Sequence, residues 1–223
     1  MTPSDLKNVK NHHSSTWEYL KQQKRFPKGY VSPEKITAKS YDELPPYYQN
    51  MLSEMNDNIN YYNRTVTREK EESQKWIWGL GLVGGAFFLT TEPLTGLGLL
   101  CAAAGLNSSN NKGYYDSHIQ ALTELQEQHP ELEQSIKDQE KIKKLETREK
   151  IYFTGMVLSL LCAAALLYKD YKNYPVSSLI LGTSYLAYQL AENRRKHQIR
   201  QAKARVIPKN VRKAYWQDFI REA

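Results

Sequence analysis

Nine basic side chains, Arg194, Arg195, Lys196, Arg200, Lys203, Arg205, Lys209, Arg212 and Lys213, fall within Asn193–Gln217 without one acidic residue among them. Such a run attracts anions, and the candidates are a lipid headgroup, an acidic protein and nucleic acid. Other reactive residue types are present but not in working patterns. His12, His13, His118, His129 and His197 lack metal-ligand spacing and have no cysteine near them, so no metal site is expected. Cys101 and Cys162 lie inside apolar runs and read as small core residues rather than as a disulfide. The glycines of Gly79–Gly85 lack the Lys-Ser/Thr of a phosphate loop, and Ser177 and Ser178 open an apolar helix instead of forming a nucleophile elbow. Neither a cofactor nor an enzymatic reaction is expected.

The elements that must position the basic run come from the distribution of apolar residues. The 223 residues carry a net charge of +7 and are 40% hydrophobic, which looks ordinary for a soluble chain. The average hides segregation into two blocks, 76–106 and 151–191, flanked by sequence rich in Lys, Glu, Gln, Asn and Tyr. In the first block the only charge is Glu92, next to Pro93. The second is interrupted by the polar loop Lys169–Pro175. Each block therefore predicts a helical hairpin, and the fold class expected is all-α, a membrane protein with helical cytoplasmic arms. A crossing needs about 20 apolar residues. Ile151–Tyr168 approaches that length, whereas the legs of the first block are shorter and suit a wedge or a thinned bilayer. A soluble bundle with helices apolar all round is the alternative, disfavoured because too few amphipathic helices remain to surround them.

Aromatic residues mark the ends of the blocks at headgroup level: Trp76, Trp78, Tyr152, Tyr168, Tyr174 and Tyr188. Within the first block, Gly81 and Gly85 form a small-xxx-small pair expected to let helices approach closely. The hexapeptide Leu-Leu-Cys-Ala-Ala-Ala occurs at Leu99–Ala104 and again at Leu160–Ala165, placing Cys101 and Cys162 on matched small faces that suit packing of the second and third apolar helices. Thr-Arg-Glu-Lys precedes each block, at Thr67 and Thr147, which suggests a duplication that the hexapeptides do not keep in register.

Orientation follows from the basic run, because positive charge stays in the cytoplasm and the loops at Pro93 and Lys169–Pro175 carry little of it. Both termini and the central segment are then expected to be cytoplasmic. The rival is a single Pro-kinked span over 76–106, which places the termini on opposite sides and Glu92 at mid-bilayer.

The arms divide into an irregular polar arm over 1–45, an amphipathic helix over 46–75, a helical stalk over 107–150 and a basic amphipathic tail over 192–223. Tyr48, Leu52, Met55, Ile59, Tyr62 and Val66 recur at heptad spacing and predict a helix-pairing seam, either against the stalk or between copies. In the first arm, Trp17, Tyr19 and Phe26 are candidate anchors. In the tail, Val211, Tyr215, Phe219 and Ile220 share one helical face.

The function expected from this layout is a multi-pass membrane scaffold or adaptor that recruits a protein partner through its cytoplasmic helices. Membrane shaping is the alternative. In outline the layout is similar to reticulon-like hairpin proteins and to the bilobed hydrophobic effectors that intracellular bacteria place in vacuole membranes, a likeness of architecture that implies insertion into a membrane. Anionic lipid is the expected partner of the basic run, since it follows an apolar helix directly; nucleic acid is disfavoured.

Overall fold

The computed structural model describes residues 29–32, 35–90, 92–129, 132 and 134–222, without the side chains of 65, 69, 111 and 216–222. Trp17, Tyr19 and Phe26, and the side chains of Phe219 and Ile220, lie outside the described residues. The protein is all-helical, with no strand among the described residues. The helices are α1 (Pro46–Leu89), α2 (Pro93–Gln128), α3 (Ile136–Lys169), α4 (Tyr174–Ala204) and α5 (Lys209–Glu222), with short 3-10 turns at Tyr41–Glu43 and Tyr171–Asn173.

Prolines punctuate the chain where they cost the helix least. Pro46 and Pro93 open α1 and α2, and Pro175 stands in the first turn of α4, where no intrahelical N–H bond is lost. α3 starts at a capped end: the Ser135 hydroxyl accepts from the Asp138 N–H at 3.2 Å and donates to the Asp138 carboxylate at 2.8 Å. Its C-terminus stops at Asp170, whose carboxylate accepts the Lys172 N–H and so shapes the turn into α4.

Two compact units share these helices. The smaller comprises 1–55, 125–133 and 207–223. Its core holds Ile36, Leu44, Tyr47, Tyr48, Met51, Leu52, Met55, Leu125, Ile207, Val211 and Ala214. Tyr48 and Leu52 are 0% exposed, and the Tyr48 hydroxyl donates to the Val31 carbonyl. The larger unit comprises 56–124 and 134–206. In it the seam continues: the Tyr62 hydroxyl donates to Glu124, and Val66 sits so close to Gly113 that a Cβ there would meet it at 2.6 Å. The heptad face of α1 is therefore buried within the chain, with Tyr62 and Val66 packed against α2. The hydrogen bond to Glu124 holds the Tyr62 phenol above its usual value.

Glycines set the close approaches of the larger unit. A Cβ on Gly84 would stand 3.0 Å from Leu99 and 3.1 Å from the Gly96 carbonyl, and one on Gly182 would strike the Gly98 carbonyl. α2 thus folds back along α1 after the break at 90–92, which differs from a single kinked span. Gly81 and Gly85, the pair expected to make the approach, have nothing within 4 Å; the contact belongs to Gly84 and Gly96. The two hexapeptide copies, expected to suit packing of α2 on α3, also stand beside α4. Gly98 and Gly105, flanking the first copy, meet Ser178 and Tyr185 of α4, and in the second copy Ala163 accepts the Ser177 hydroxyl of α4 at 3.1 Å. Both copies take α4 as a neighbour. Cys101 is half-buried, Cys162 is exposed, and both thiols are free.

Candidate functional site

Two features of the larger unit stand out, an apolar surface without cover and a buried ion pair, Glu192 and Arg195. The surface runs over both apolar blocks. Trp76 and Trp78 are each 71% exposed, Leu82, Phe88 and Leu89 face outward, and so do Ile151, Phe153, Leu158, Leu160 and Leu161. Tyr168 is 95% exposed at the end of α3, Tyr174 is exposed at the start of α4, and Tyr152 and Tyr188 are half-buried. Among the described residues one helix, α3, is long and apolar enough to cross a membrane, and only 6% of its apolar window is buried.

Immediately beyond the apolar stretch of α4 lies the charged core. Glu192 is 0% exposed and Arg195, one turn on, is 3% exposed. The guanidinium holds Glu192 through Nε at 2.7 Å and reaches Glu149 of α3 at 2.9 Å, while Lys112 of α2 stands 3.7 Å from Glu192. Burial pushes the Glu192 carboxyl up, but the hydrogen bonds and charge of Arg195, with Lys112 and Lys196, leave it below the usual carboxylate value. Burial likewise lowers Arg195, and Glu192, Glu149 and Asp116 more than offset it. Beside this pair, Asn193 Nδ2 donates to the Ser108 carbonyl at 2.6 Å, again joining α4 to α2.

The remaining basic residues of α4 continue the same cross-bracing. Lys196 pairs with Asp116, Lys203 donates to the Thr123 hydroxyl, and Arg205 pairs with Asp138 at 2.8 Å. Arg200 lies over the Tyr115 ring at 5.1 Å and the Tyr114 ring at 5.9 Å. In the smaller unit, Arg212 Nε donates to the Ile207 carbonyl, and Lys209 and Lys213 are exposed. Among the nine, Arg194, Lys209 and Lys213 are left to solvent. The expectation of a basic run presented to lipid is therefore corrected: Arg195 is buried, and Lys196, Arg200, Lys203, Arg205 and Arg212 are engaged internally. The signal for this was in the acids, not the bases. Asp116, Asp138 and Glu149 lie far from the run in sequence, and only the fold brings them to it.

His118 is buried against Tyr114, with ring centroids 4.3 Å apart and no partner at Nε2. Burial, then the charge of Arg200, lowers its pKa to about 4, so it is neutral at physiological pH. No group of three or more His, Cys, Asp or Glu able to hold a metal occurs among the described residues. No protein-family model, curated protein or solved structure matches the chain.

Proposed function

We propose that the chain is a membrane-inserted scaffold, with two apolar hairpins in lipid and a braced helical bundle in the cytoplasm that presents partner-binding surface. The carrying observation is the outward face of α3, where Ile151, Phe153, Leu158, Leu160 and Leu161 are exposed along a helix otherwise fit to span. Each large apolar side chain removed from water contributes about 1.5–3 kcal/mol. Over both blocks the total is on the order of tens of kcal/mol, beyond the roughly 5–15 kcal/mol that separates a folded domain from its unfolded state. Lipid is the solvent that captures this energy. Because the α1 seam is packed inside the chain, partners must meet other faces of the bundle, and the bracing by Arg195, Lys196 and Arg205 makes that bundle a rigid platform.

The first block favours a second, compatible role in membrane shaping. At about 1.5 Å per residue, Trp76–Leu89 reaches roughly 20 Å, short of a hydrocarbon core of ~30 Å. A hairpin of that depth stops short of the far headgroups and displaces more lipid from the leaflet it enters than from the other. The test uses full-length protein in sealed vesicles with Cys101→Ala and Cys162→Ala and single reporters at Glu127→Cys, Lys209→Cys, Tyr171→Cys and Glu92→Cys. Insertion predicts resistance to alkaline extraction. Two hairpins predict that the first two reporters label together from the cytoplasmic side and Tyr171→Cys from the other. A wedge leaves Glu92→Cys unlabelled from either side. Alkaline release would refute insertion, and opposite labelling of Glu127→Cys and Lys209→Cys would refute the two-hairpin layout.

A further inference from the structure

The cytoplasmic part of α3 carries a second set of basic residues with a fate opposite to that of α4. Lys137, Lys141, Lys144 and Arg148 recur at spacings of four, three and four, so they form one column on the helix. All four are exposed, and no hydrogen bond or ion pair engages their side chains. The adjacent face, Asp138, Ile142, Leu145 and Glu149, is the one turned to α4, through the Arg205 and Arg195 pairs and the packing of Ile142 and Leu145 on Ile199 and Ala202. Glu140 lies at the edge of the column, three residues after Lys137 and four before Lys144, and pairs with neither, so the column keeps an excess of positive charge. Past Arg148 the same face passes without a break into the apolar stretch. There Gly155 has open space around it, and a groove of about 410 Å³ opens between α3 and α4, lined by the small residues Gly155, Ser159, Ser184, Ala187 and Ala191 together with the bulkier Ile151, Tyr152, Met156 and Tyr188.

We propose that this face docks the membrane-spanning helix of a partner whose cytoplasmic juxtamembrane segment is acidic. The inference rests on the membrane reading above and names the partner class it left open. Small residues flanking the groove admit a helix backbone closely, and in lipid such contact is what drives helix association. The column supplies charge complementarity that fixes the partner's direction and register. A second copy of this chain is disfavoured as occupant, because pairing through the same face would set column against column. Headgroups fit less well, since Lys137–Arg148 rises about 16 Å along the helix, against a screening length of ~8 Å in physiological salt. Lipid at the surface reaches Arg148 and Lys144 and leaves Lys141 and Lys137 unused.

The experiment places the labelled full-length chain in phosphatidylcholine nanodiscs with a synthetic probe, a Leu/Ala/Gly helix of about 20 residues bearing a Glu-rich segment at one end. Energy transfer reports association. The expected result is that the Glu-bearing probe binds about tenfold more tightly than its Gln counterpart, and that the preference weakens with salt. Replacing the column by Lys137→Glu, Lys141→Glu, Lys144→Glu and Arg148→Glu should transfer the preference to a Lys-bearing probe, a swap that unfolding does not mimic. Charge-blind binding would overturn the proposal. So would a column that responds to added phosphatidylserine but not to the probe, or self-association of the chain that Gly155→Leu abolishes. If alkaline carbonate strips the chain from vesicles, the membrane reading fails and takes the proposal with it. Stable insertion with charge-blind binding overturns the proposal alone.

Discussion

The apolar and the charged halves of the larger unit join the same helices by opposite chemistry. Among Gly84, Gly96, Gly98 and Gly182 the contacts are backbone on backbone, reinforced by hydroxyls such as Ser177 on Ala163. From Glu192 onward the same α4 is joined to α2 and α3 by ion pairs and long polar side chains. On the proposed insertion, the difference follows from solvent. Between helices in lipid there would be no hydrophobic drive, so close approach through small residues would supply the attraction. In a water-facing bundle, burial of Ile142, Leu145, Ile199 and Ala202 supplies it, and charged groups fix the alignment.

The sharpest way to break the charged half is Arg195→Ala. It leaves Glu192, which has no exposure, without its two-pronged partner and with only Lys112 at 3.7 Å, and a buried pair broken on one side costs about 3–5 kcal/mol. Detergent-solubilised protein should lose that much stability in chemical denaturation. Combining Glu192→Leu with Arg195→Met should recover most of it, because Glu192→Leu removes the orphaned charge. A double variant as unstable as Arg195→Ala would mean that the pair does more than satisfy itself.

Acid should act on the same half. The folded-state pKa of His118 is depressed, from 6.5 to about 4, so its contribution is fully present above 6.5 and is lost as pH falls towards 4. The size is about 3 kcal/mol, from the shift between those two values. Glu192, also depressed, adds a loss of the same sign at lower pH. His118→Phe should flatten the stability profile between pH 6.5 and 4 without altering the slope below it. An unchanged profile would show that protonated His118 is accommodated.

The apolar half should yield to size instead of charge. Gly182→Ala brings a methyl against the Gly98 carbonyl, which is backbone and cannot swing away, so α2 and α4 must separate locally. Overpacking of this kind costs about 1–3 kcal/mol. Gly81→Ala, with open space around it, should be neutral or slightly stabilising through helix propensity. Equal effects of the two would mean that the Gly98–Gly182 approach is not maintained in lipid or detergent.

These contrasts also mark what the sequence discloses. The face of Tyr48, Leu52, Met55 and Ile59 is readable because polar residues separate its members, and the breaks at Pro93 and Lys169–Pro175 are readable because Pro and charge interrupt apolar runs. Gly84 and Gly96 could not be told from Gly81 and Gly85, since a helix apolar all round has no polar face to give its rotation. Nor does a basic run state its partner. The pairs Lys196–Asp116 and Arg205–Asp138 span 80 and 67 positions, distances over which composition carries no pairing information.

The smallest effect tests whether position in the fold, not charge itself, decides what a basic residue does. Arg194 and Lys203 lie on the same helix, nine residues apart in an acid-free stretch, and from sequence alone they are equivalent. In the structure Arg194 is exposed, whereas the Lys203 ammonium donates to the Thr123 hydroxyl of α2. Arg194→Gln should change stability by no more than about 0.5 kcal/mol, as surface substitutions generally do. Lys203→Met keeps the aliphatic stem but removes the donor, and should cost about 1.5–3 kcal/mol, the range for a hydrogen bond made by a charged group. Parallel denaturation curves of the two variants, with equal slopes, measure the difference. If Arg194→Gln proves as damaging as Lys203→Met, the segment acts through its summed charge, and the internal bracing assigned to α4 would have to give way to a surface field.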